Sequence, residues 1–299
     1  MRGLAVSALG LCTWLWTAQG YAHAILTVAP SSDARGTAPV VALLVLAAAG
    51  YAIGFRSVRH RRAGRGGREA VLRAIAFLAG LAALGVALLS PIDRWGAAFF
   101  AVHMIQHEIL MLIAAPLLVL GRPLPLFLWV FGKRSRASIS RMVHFAPVQS
   151  FWTTLLSPLV AWLLHALALW IWHAPPLFDA ALRVPPVHEV QHLSFLFSAL
   201  IFWASMVESR QRAHQGAAII YLFTTTIHTS VLGALITFAT RPWYAGYLQT
   251  PIHSGLTALE DQQLGGLIMW VPGSLAYVGI ALALLVRWIR ASDATAISS

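Results

Sequence analysis

Long apolar stretches separated by short polar segments dominate the chain from residue 37 onward. These stretches approach or exceed the roughly 18–20 residues that a helix needs to cross a bilayer. We place the predicted spans at 37–55, 70–90, 96–120, 151–172, 187–207, 216–239 and 263–287. The pattern predicts an all-α membrane protein, a bundle of about seven transmembrane helices within residues 37–290.

The connecting segments alternate in charge. Basic residues cluster in the segments 56–73, 121–145, 210–212 and 287–290. The opposite connectors hold only Arg35, Arg94, Arg183 and Arg241. Because basic loops remain on the cytoplasmic side, the alternation predicts an external N-terminus and a C-terminus in the cytoplasm, with 291–299 as a cytoplasmic tail.

The first 22 residues have the features of a signal peptide. Arg2 precedes an apolar run from Leu4 to Trp16, and a small-residue pattern ends at Ala22. Cleavage there would make His23 the first residue of a short extracytoplasmic segment, 23–36. An uncleaved anchor is the alternative.

Composition narrows the chemistry further. The chain is 59% hydrophobic and 10% charged, which excludes an ordinary soluble domain. Its net charge of +11 comes from arginines between spans, so we predict no nucleic-acid partner. The single cysteine, Cys12, lies in the predicted signal peptide. Disulfides and thiolate metal sites are therefore excluded from the mature chain, and a soft metal would have to use histidine or methionine.

The histidines are distributed unevenly across the predicted membrane. A rise of 1.5 Å per residue places His103, His165 and His192 roughly 8–11 Å below the outer helix ends. The same count places His107 and His228 at roughly 16 Å, with His173 and His188 near the surface. His253 lies in the predicted outer loop, 240–262. No histidine falls in the inner half of a span.

Two histidine pairs share one pattern. His103 to His107 and His188 to His192 both have the form His-x-x-Gln-His, in helices that run inward from outside. Side chains at i and i+4 share one helix face, and Met111 continues the first stripe. A lone membrane histidine is usually a hydrogen-bonding residue between helices. Several at matched depths favour a functional site.

Imidazole and thioether without thiolate suit copper, while imidazole alone would also fit zinc or iron. The predicted metal ligands are His103, His107, His165, His188, His192, His228, Met111 and His23. Three carboxylates, Glu108, Glu189 and Asp261, are predicted to orient ligand rings.

Several motifs together resemble the multi-span CtaG family of assembly factors for caa3-type cytochrome c oxidases. They are His103 to His107, Ala115 to Pro123, Trp172 to Pro175, His188 to His192, and Asp261 to Trp270. The start at His23 to Pro30 is similar to periplasmic copper-binding proteins of the CopC type. The resemblance implies a bacterial plasma-membrane protein that supplies or holds copper for haem–copper oxidase subunits. A periplasmic copper donor would be a further partner.

Other interpretations remain open at this point. His188-Glu189-Val190-Gln191-His192 matches the His-Glu-x-x-His signature of zinc metalloproteases, and Asp261 could supply a third ligand. Histidines from facing helices could instead be axial ligands of haem in an electron carrier. A pure scaffold, in which the histidines only pack, is the remaining class.

Overall fold

The computed structural model describes residues 34–61, 67–208, 212–248 and 255–296, and the regular structure in these ranges is helical. His23, Cys12 and His253 lie outside the described residues. The helices are α1 Ala34–Arg61, α2 Gly67–Leu89, α3 Pro91–Gly96, α4 Phe100–Glu108, α5 Ala115–Leu120, α6 Pro123–Phe127, α7 Lys133–Val143, α8 Ala146–Leu155, α9 Pro158–Trp172, α10 Pro175–Arg183, α11 Pro185–Glu208, α12 Arg212–Thr237 and α13 Ala258–Ala296.

Five stretches of the described chain are long and apolar enough to cross a membrane. They are Thr37–Arg61, Gly67–Leu89, Phe100–Leu120, Ala218–Thr237 and Ala258–Val286. The α8–α9 pair, bent by 61°, gives a sixth if it counts as one span. Helix α11 is 24 residues long, but polar residues in its first turns lower its hydropathy. The protein is therefore a multi-pass helical membrane protein, while the count of seven, which needs α11, stays a prediction.

Helix ends differ from the predicted limits at two places. Helix α1 continues to Arg61, into the segment predicted as a connector, and α13 continues to Ala296, through most of the predicted tail. Both extensions contain residues that favour helix, such as alanine and arginine. Hydropathy marks where a chain leaves the membrane, and a helix does not have to end there.

The third predicted span changes its helical form in the middle. A π-helical turn, Ile109–Ala114, joins α4 to α5, and the Ala115 N–H donates to the Leu110 carbonyl five residues earlier. In that register the Met111 carbonyl would accept from residue 116, but Pro116 has no N–H. The indole Nε1 of Trp203 on α11 donates to this carbonyl instead, at 2.8 Å. The proline kink is thereby fixed to a neighbouring helix.

Close backbone contacts attach the first two helices to the rest. The Tyr51 ring stacks on Phe77 at 4.2 Å, and its hydroxyl donates to the Gly121 carbonyl at 3.0 Å. A side chain at Gly121 would come within 2.6 Å of Phe77, so only glycine permits this approach. The apolar stretch after Gly121 forms α6 and packs against α1.

The helix ends that matter for function lie at one end of the bundle. Helices α4, α11 and α13 begin there, and α9 and α12 finish there. We call it the histidine end. The basic connector between α5 and α8, with Lys133, Arg134, Arg136 and Arg141, lies at the opposite end. The separation of charge agrees with the predicted orientation, which itself stays a prediction.

The bond to Met111 generates a test of the fold. Replacing Trp203 with phenylalanine leaves a buried carbonyl without a donor, so we expect a loss of about 1–2 kcal/mol in the free energy of unfolding. Denaturant titration of the purified protein in detergent measures it.

Trp162→Phe is the matched control, because the Trp162 indole N–H has no partner among the described residues. Equal losses in the two variants would show that the Trp203 bond adds nothing.

Candidate metal centre

Five imidazoles meet at the histidine end. Helix α4 supplies His103 and His107, α11 supplies His188 and His192, and His173 follows the last residue of α9. Ring centroids are 5.3 Å apart for His103 and His188, and 5.9 Å for His103 and His192. They are 5.4 Å apart for His107 and His192, and 6.1 Å for His107 and His173. We call this group the histidine cluster.

Three of these side chains already have the spacing of a metal site. One ring nitrogen each from His103, His188 and His192 lies within 4.8 Å of the other two. Nitrogens bound to a common ion at about 2 Å each are about 3.3–4 Å apart. The i, i+4 spacing within α4 and α11 puts both pairs on facing helix sides. Small side-chain rotations would therefore close the triad around an ion.

Five ring nitrogens of the cluster have no hydrogen-bond partner within the described protein. Nε2 of His103, His173 and His192 and both nitrogens of His107 are buried and accept or donate no hydrogen bond there. His103 and His107 are each 1% exposed. An unpaired buried polar group costs about 1–3 kcal/mol. Because several such groups face one another, a shared ligand would offset the cost at all of them.

The tautomer of His173 is fixed by the backbone. Its Nδ1 donates to the Leu169 carbonyl at 2.7 Å, since a carbonyl can only accept. Nε2 therefore carries the lone pair and faces the cluster, as in metal-binding histidines whose other nitrogen is hydrogen-bonded. Burial lowers the pKa of His173 to about 4, so the ring is neutral at neutral pH.

The two glutamines of the repeated motif are also buried. Gln106 Nε2 donates to the Ala87 carbonyl at 2.9 Å and to Asp93 Oδ1 at 2.8 Å, which ties α4 to α2 and α3. The Gln191 side chain is fully buried and lies beside His103. Sequence reasoning recorded both glutamines in the motif without giving them a function, although their repetition was a usable signal.

A carboxylate from the last helix holds the start of α4. Asp261 accepts from the backbone N–H of Phe100 at 2.6 Å and of Ala101 at 3.1 Å. These N–H groups have no partner within the helix, and residue 99 offers no capping side chain. We expected Asp261 to orient an imidazole. It instead positions the helix that carries two of them.

A short segment covers the cluster. The Tyr244 hydroxyl donates to the His173 carbonyl at 3.1 Å, and the Tyr247 hydroxyl donates to the Gly96 carbonyl at 2.8 Å. Burial raises the pKa of both tyrosines, so they remain protonated donors. The Asp179 carboxylate accepts from the Ala245 and Gly246 N–H groups and fixes this segment to α10. His188 is half-buried and is the most exposed member of the cluster, so we call its side of the cluster the opening.

Two predicted ligands belong to a separate, deeper group. His165 lies 3.2 Å from both the Ser198 and the Tyr277 hydroxyls and stacks on Phe202. His228 faces the Trp162 ring at 5.7 Å, and its nitrogens have no partner among the described residues. Helical rise predicts His165 at the level of His103 and His192, but its ring lies deeper, beside Ser198 of α11. Helical rise also gives no direction around the helix.

Of the remaining predicted residues, Met111 and Glu108 also lie away from the cluster rings. Met111 packs in the apolar core with Phe202 and Trp203. Glu108 lies against α13, where a side chain at Gly273 would come within 3.1 Å of its Oε2. Glu189 is exposed. His173, by contrast, was counted near the surface and is 3% exposed within the cluster.

Comparison with known proteins agrees with this membrane architecture. Residues 49–291 match the family described as cytochrome c oxidase caa3 assembly factor, Caa3_CtaG. Uncharacterized proteins of Mycobacterium bovis and Mycobacterium tuberculosis are each 30% identical over 258 residues, 82% of this chain. One of Mycobacterium leprae is 29% identical over 259 residues, 83% of the chain. The chain spans 38% of the length of these relatives, and no solved structure matches it.

The Asp261 contact generates a second prediction. Asp261→Ala removes the acceptor of two buried N–H groups, so we expect the free energy of unfolding to fall by about 1–3 kcal/mol. Hydrogen exchange at Phe100 and Ala101 should rise with it.

Glu260→Ala serves as the control, because the exposed Glu260 side chain bonds only Thr257 at the start of its own helix. Unchanged exchange at the start of α4 in Asp261→Ala would contradict the capping role.

Proposed function

The chain belongs to the Caa3_CtaG family of cytochrome c oxidase assembly factors, and from this we propose that its histidine cluster binds copper destined for a haem–copper oxidase. The copper ion is cargo in this proposal. Oxidase subunits are the recipients, and a periplasmic copper donor is the source.

The convergence of five imidazoles with unpaired nitrogens carries the proposal. Four of the five are buried, and the donor set among the described residues contains neither thiolate nor carboxylate. Neutral nitrogen ligands without anionic partners suit an ion of low charge, which favours Cu(I) over divalent metals that usually add carboxylate or water. Burial would also keep water and oxidants away from the bound ion.

The opening at His188 supports uptake of a cation. The carboxylates of Asp93 and Glu189 lie close enough to His188 to favour positive charge there. Asp93 is held by Gln106, so the opening is connected to the helix that carries His103 and His107. A cation arriving at this end would meet negative charge first and neutral imidazoles next.

The rival chemistries fit the geometry less well. A zinc protease needs its glutamate beside the metal-bound water as general base, but the Glu189 side chain is exposed and points away from the buried rings. A haem carrier needs space for a flat macrocycle between its histidines, whereas Phe178 and Phe195 pack against these rings.

Metal content tests the proposal. We expect purified wild-type protein to bind Cu(I) in competition with a chromogenic chelator, and His103→Ala/His107→Ala to bind at least tenfold more weakly, since each ring faces several others. His144→Ala is the matched control, because His144 is exposed and directly follows the last residue of α7. Equal copper affinity in wild type and the double variant would remove the cluster from the proposal.

Oxidase maturation separates copper supply from proteolysis. In cells that lack the native protein, Glu189→Gln should restore oxidase activity as wild type does, while His103→Ala/His107→Ala should not. Loss of maturation with Glu189→Gln, at unchanged copper binding, would instead favour the protease.

A further inference from the structure

Two histidines of the cluster, His107 and His173, do not belong to the group of His103, His188 and His192, which we call the outer triad. His103, His188 and His192 have mutually close ligand atoms. His107 follows His103 by one helical turn, with ring centroids 4.3 Å apart, and lies farther from the opening. His173 reaches the same level from α9. Both are buried, and neither is a member of the triad.

The ring centroids of His107 and His173 are as far apart as those of two imidazoles on one ion. Among the described residues only the outer triad has ligand atoms already within 4.8 Å of one another, so the inner rings have to rotate to share an ion. With metal–nitrogen bonds of about 2 Å, two imidazoles on one ion have centroids about 5–6.5 Å apart. His107 and His173 are 6.1 Å apart and nearly perpendicular, and His107 and His192 are 5.4 Å apart. His173 presents the lone pair of Nε2 because its Nδ1 is bound to Leu169.

Aromatic rings close this inner level. Phe195 lies 4.5 Å from the His107 ring and 5.9 Å from the His173 ring. Phe178 lies 6.1 Å from His173 on another side. Both phenylalanines are fully buried. The inner level therefore has nitrogen donors toward the opening and apolar walls elsewhere, which leaves His107 and His173 with no partner for their free nitrogens.

From this geometry we infer that the cluster contains two successive copper positions. The outer position is His103, His188 and His192, and the inner position is His107 and His173 with His192 shared between them. The inference rests on the proposed function and adds the inner site and its ligands. The ring centroid of His192 lies 5.9 Å from that of His103 and 5.4 Å from that of His107. His192 can therefore stay bound to an ion that moves between the two positions.

Repulsion between two bound ions means that one ion occupies the two positions in turn. The positions are about one helical turn apart, and like charges at that distance repel strongly in a poorly polarizable interior. The carboxylates near the cluster, Asp93 and Glu189, act at His188 and not at the inner level. One Cu(I) per chain is therefore expected, held at either level.

Ligand removal at each level distinguishes this arrangement from a single site. We expect His188→Ala, which damages the outer position, and His173→Ala, which damages the inner one, each to bind one Cu(I) per chain with affinity lowered less than tenfold. His188→Ala/His173→Ala should lose more than a hundredfold, because no intact position remains. Cu(I) affinity is measured by chelator competition on the full chain in detergent, with His144→Ala as control.

The other outcomes each overturn something specific. Loss of binding in His188→Ala alone, with His173→Ala unchanged, would mean one outer site, and the inner position would be wrong while the proposed function stands. Loss in His173→Ala alone, or two ions in wild type, would also overturn the inference. No binding by wild type would overturn the proposed function too. If the double alanine variant does not purify, glutamine at both positions replaces it, and the single variants and wild type still decide.

Discussion

Every polar group placed between these helices has to find its partner within the protein, because hydrocarbon supplies none. Most of the described groups obey this constraint by specific cross-helix bonds. Trp203 supplies the donor that Pro116 cannot, and Asp261 accepts from the free N–H groups at the start of α4. The histidine cluster departs from it. Unpaired buried atoms also occur elsewhere, for example at Trp162 and His228, but in the cluster five unpaired ring nitrogens lie on imidazoles that face one another, which is the pattern of a binding site.

Groups with hydrogen-bond partners and histidines without them lie on one helical segment. The segment from Phe100 to Leu120 is held at its start by Asp261, near its middle by Gln106, and at its π-helical turn by Trp203. Each contact comes from a different part of the chain. Such support fixes the direction of His103 and His107 before any ligand arrives, and a preorganised donor set binds an ion at lower cost in conformational entropy.

The sequence could predict the helices and the end of the bundle at which most of the histidines gather, but neither the exact level of each ring nor which rings meet. Hydropathy located all the described spans, because burial in lipid requires long apolar stretches whatever the packing. The repeated His-x-x-Gln-His pattern located the two faces that meet. His165 and His173 show the limit. Both lie near the external end by residue count, yet only His173 joins the cluster, because the kink between α9 and α10 turns its ring inward while His165 faces Ser198 and Tyr277.

The role of Asp261 could not be predicted for a related reason. It lies 160 and 161 residues from the groups that it binds. Phe99 shows only that no side chain caps the helix locally, and does not indicate which distant carboxylate replaces it. A carboxylate at a helix start is ordinarily read as a local cap. Here the free N–H groups of one helix and the carboxylate of another satisfy each other, and only the packing of α4 against α13 brings them together.

The separation of the two histidine groups limits how an ion could travel. Along α11, His192 is followed by Phe195, and Ser198 and Phe202 then bring the chain to the level of His165. Phe195 packs on His107 and Phe202 stacks on His165, so aromatic rings flank both groups and no imidazole contact joins them among the described residues. A relay from His107 to His165 and His228 would require these rings to move. Under the proposed function the simpler path is that copper enters and leaves at the His188 opening, which places the recipient at the same end of the bundle as the donor.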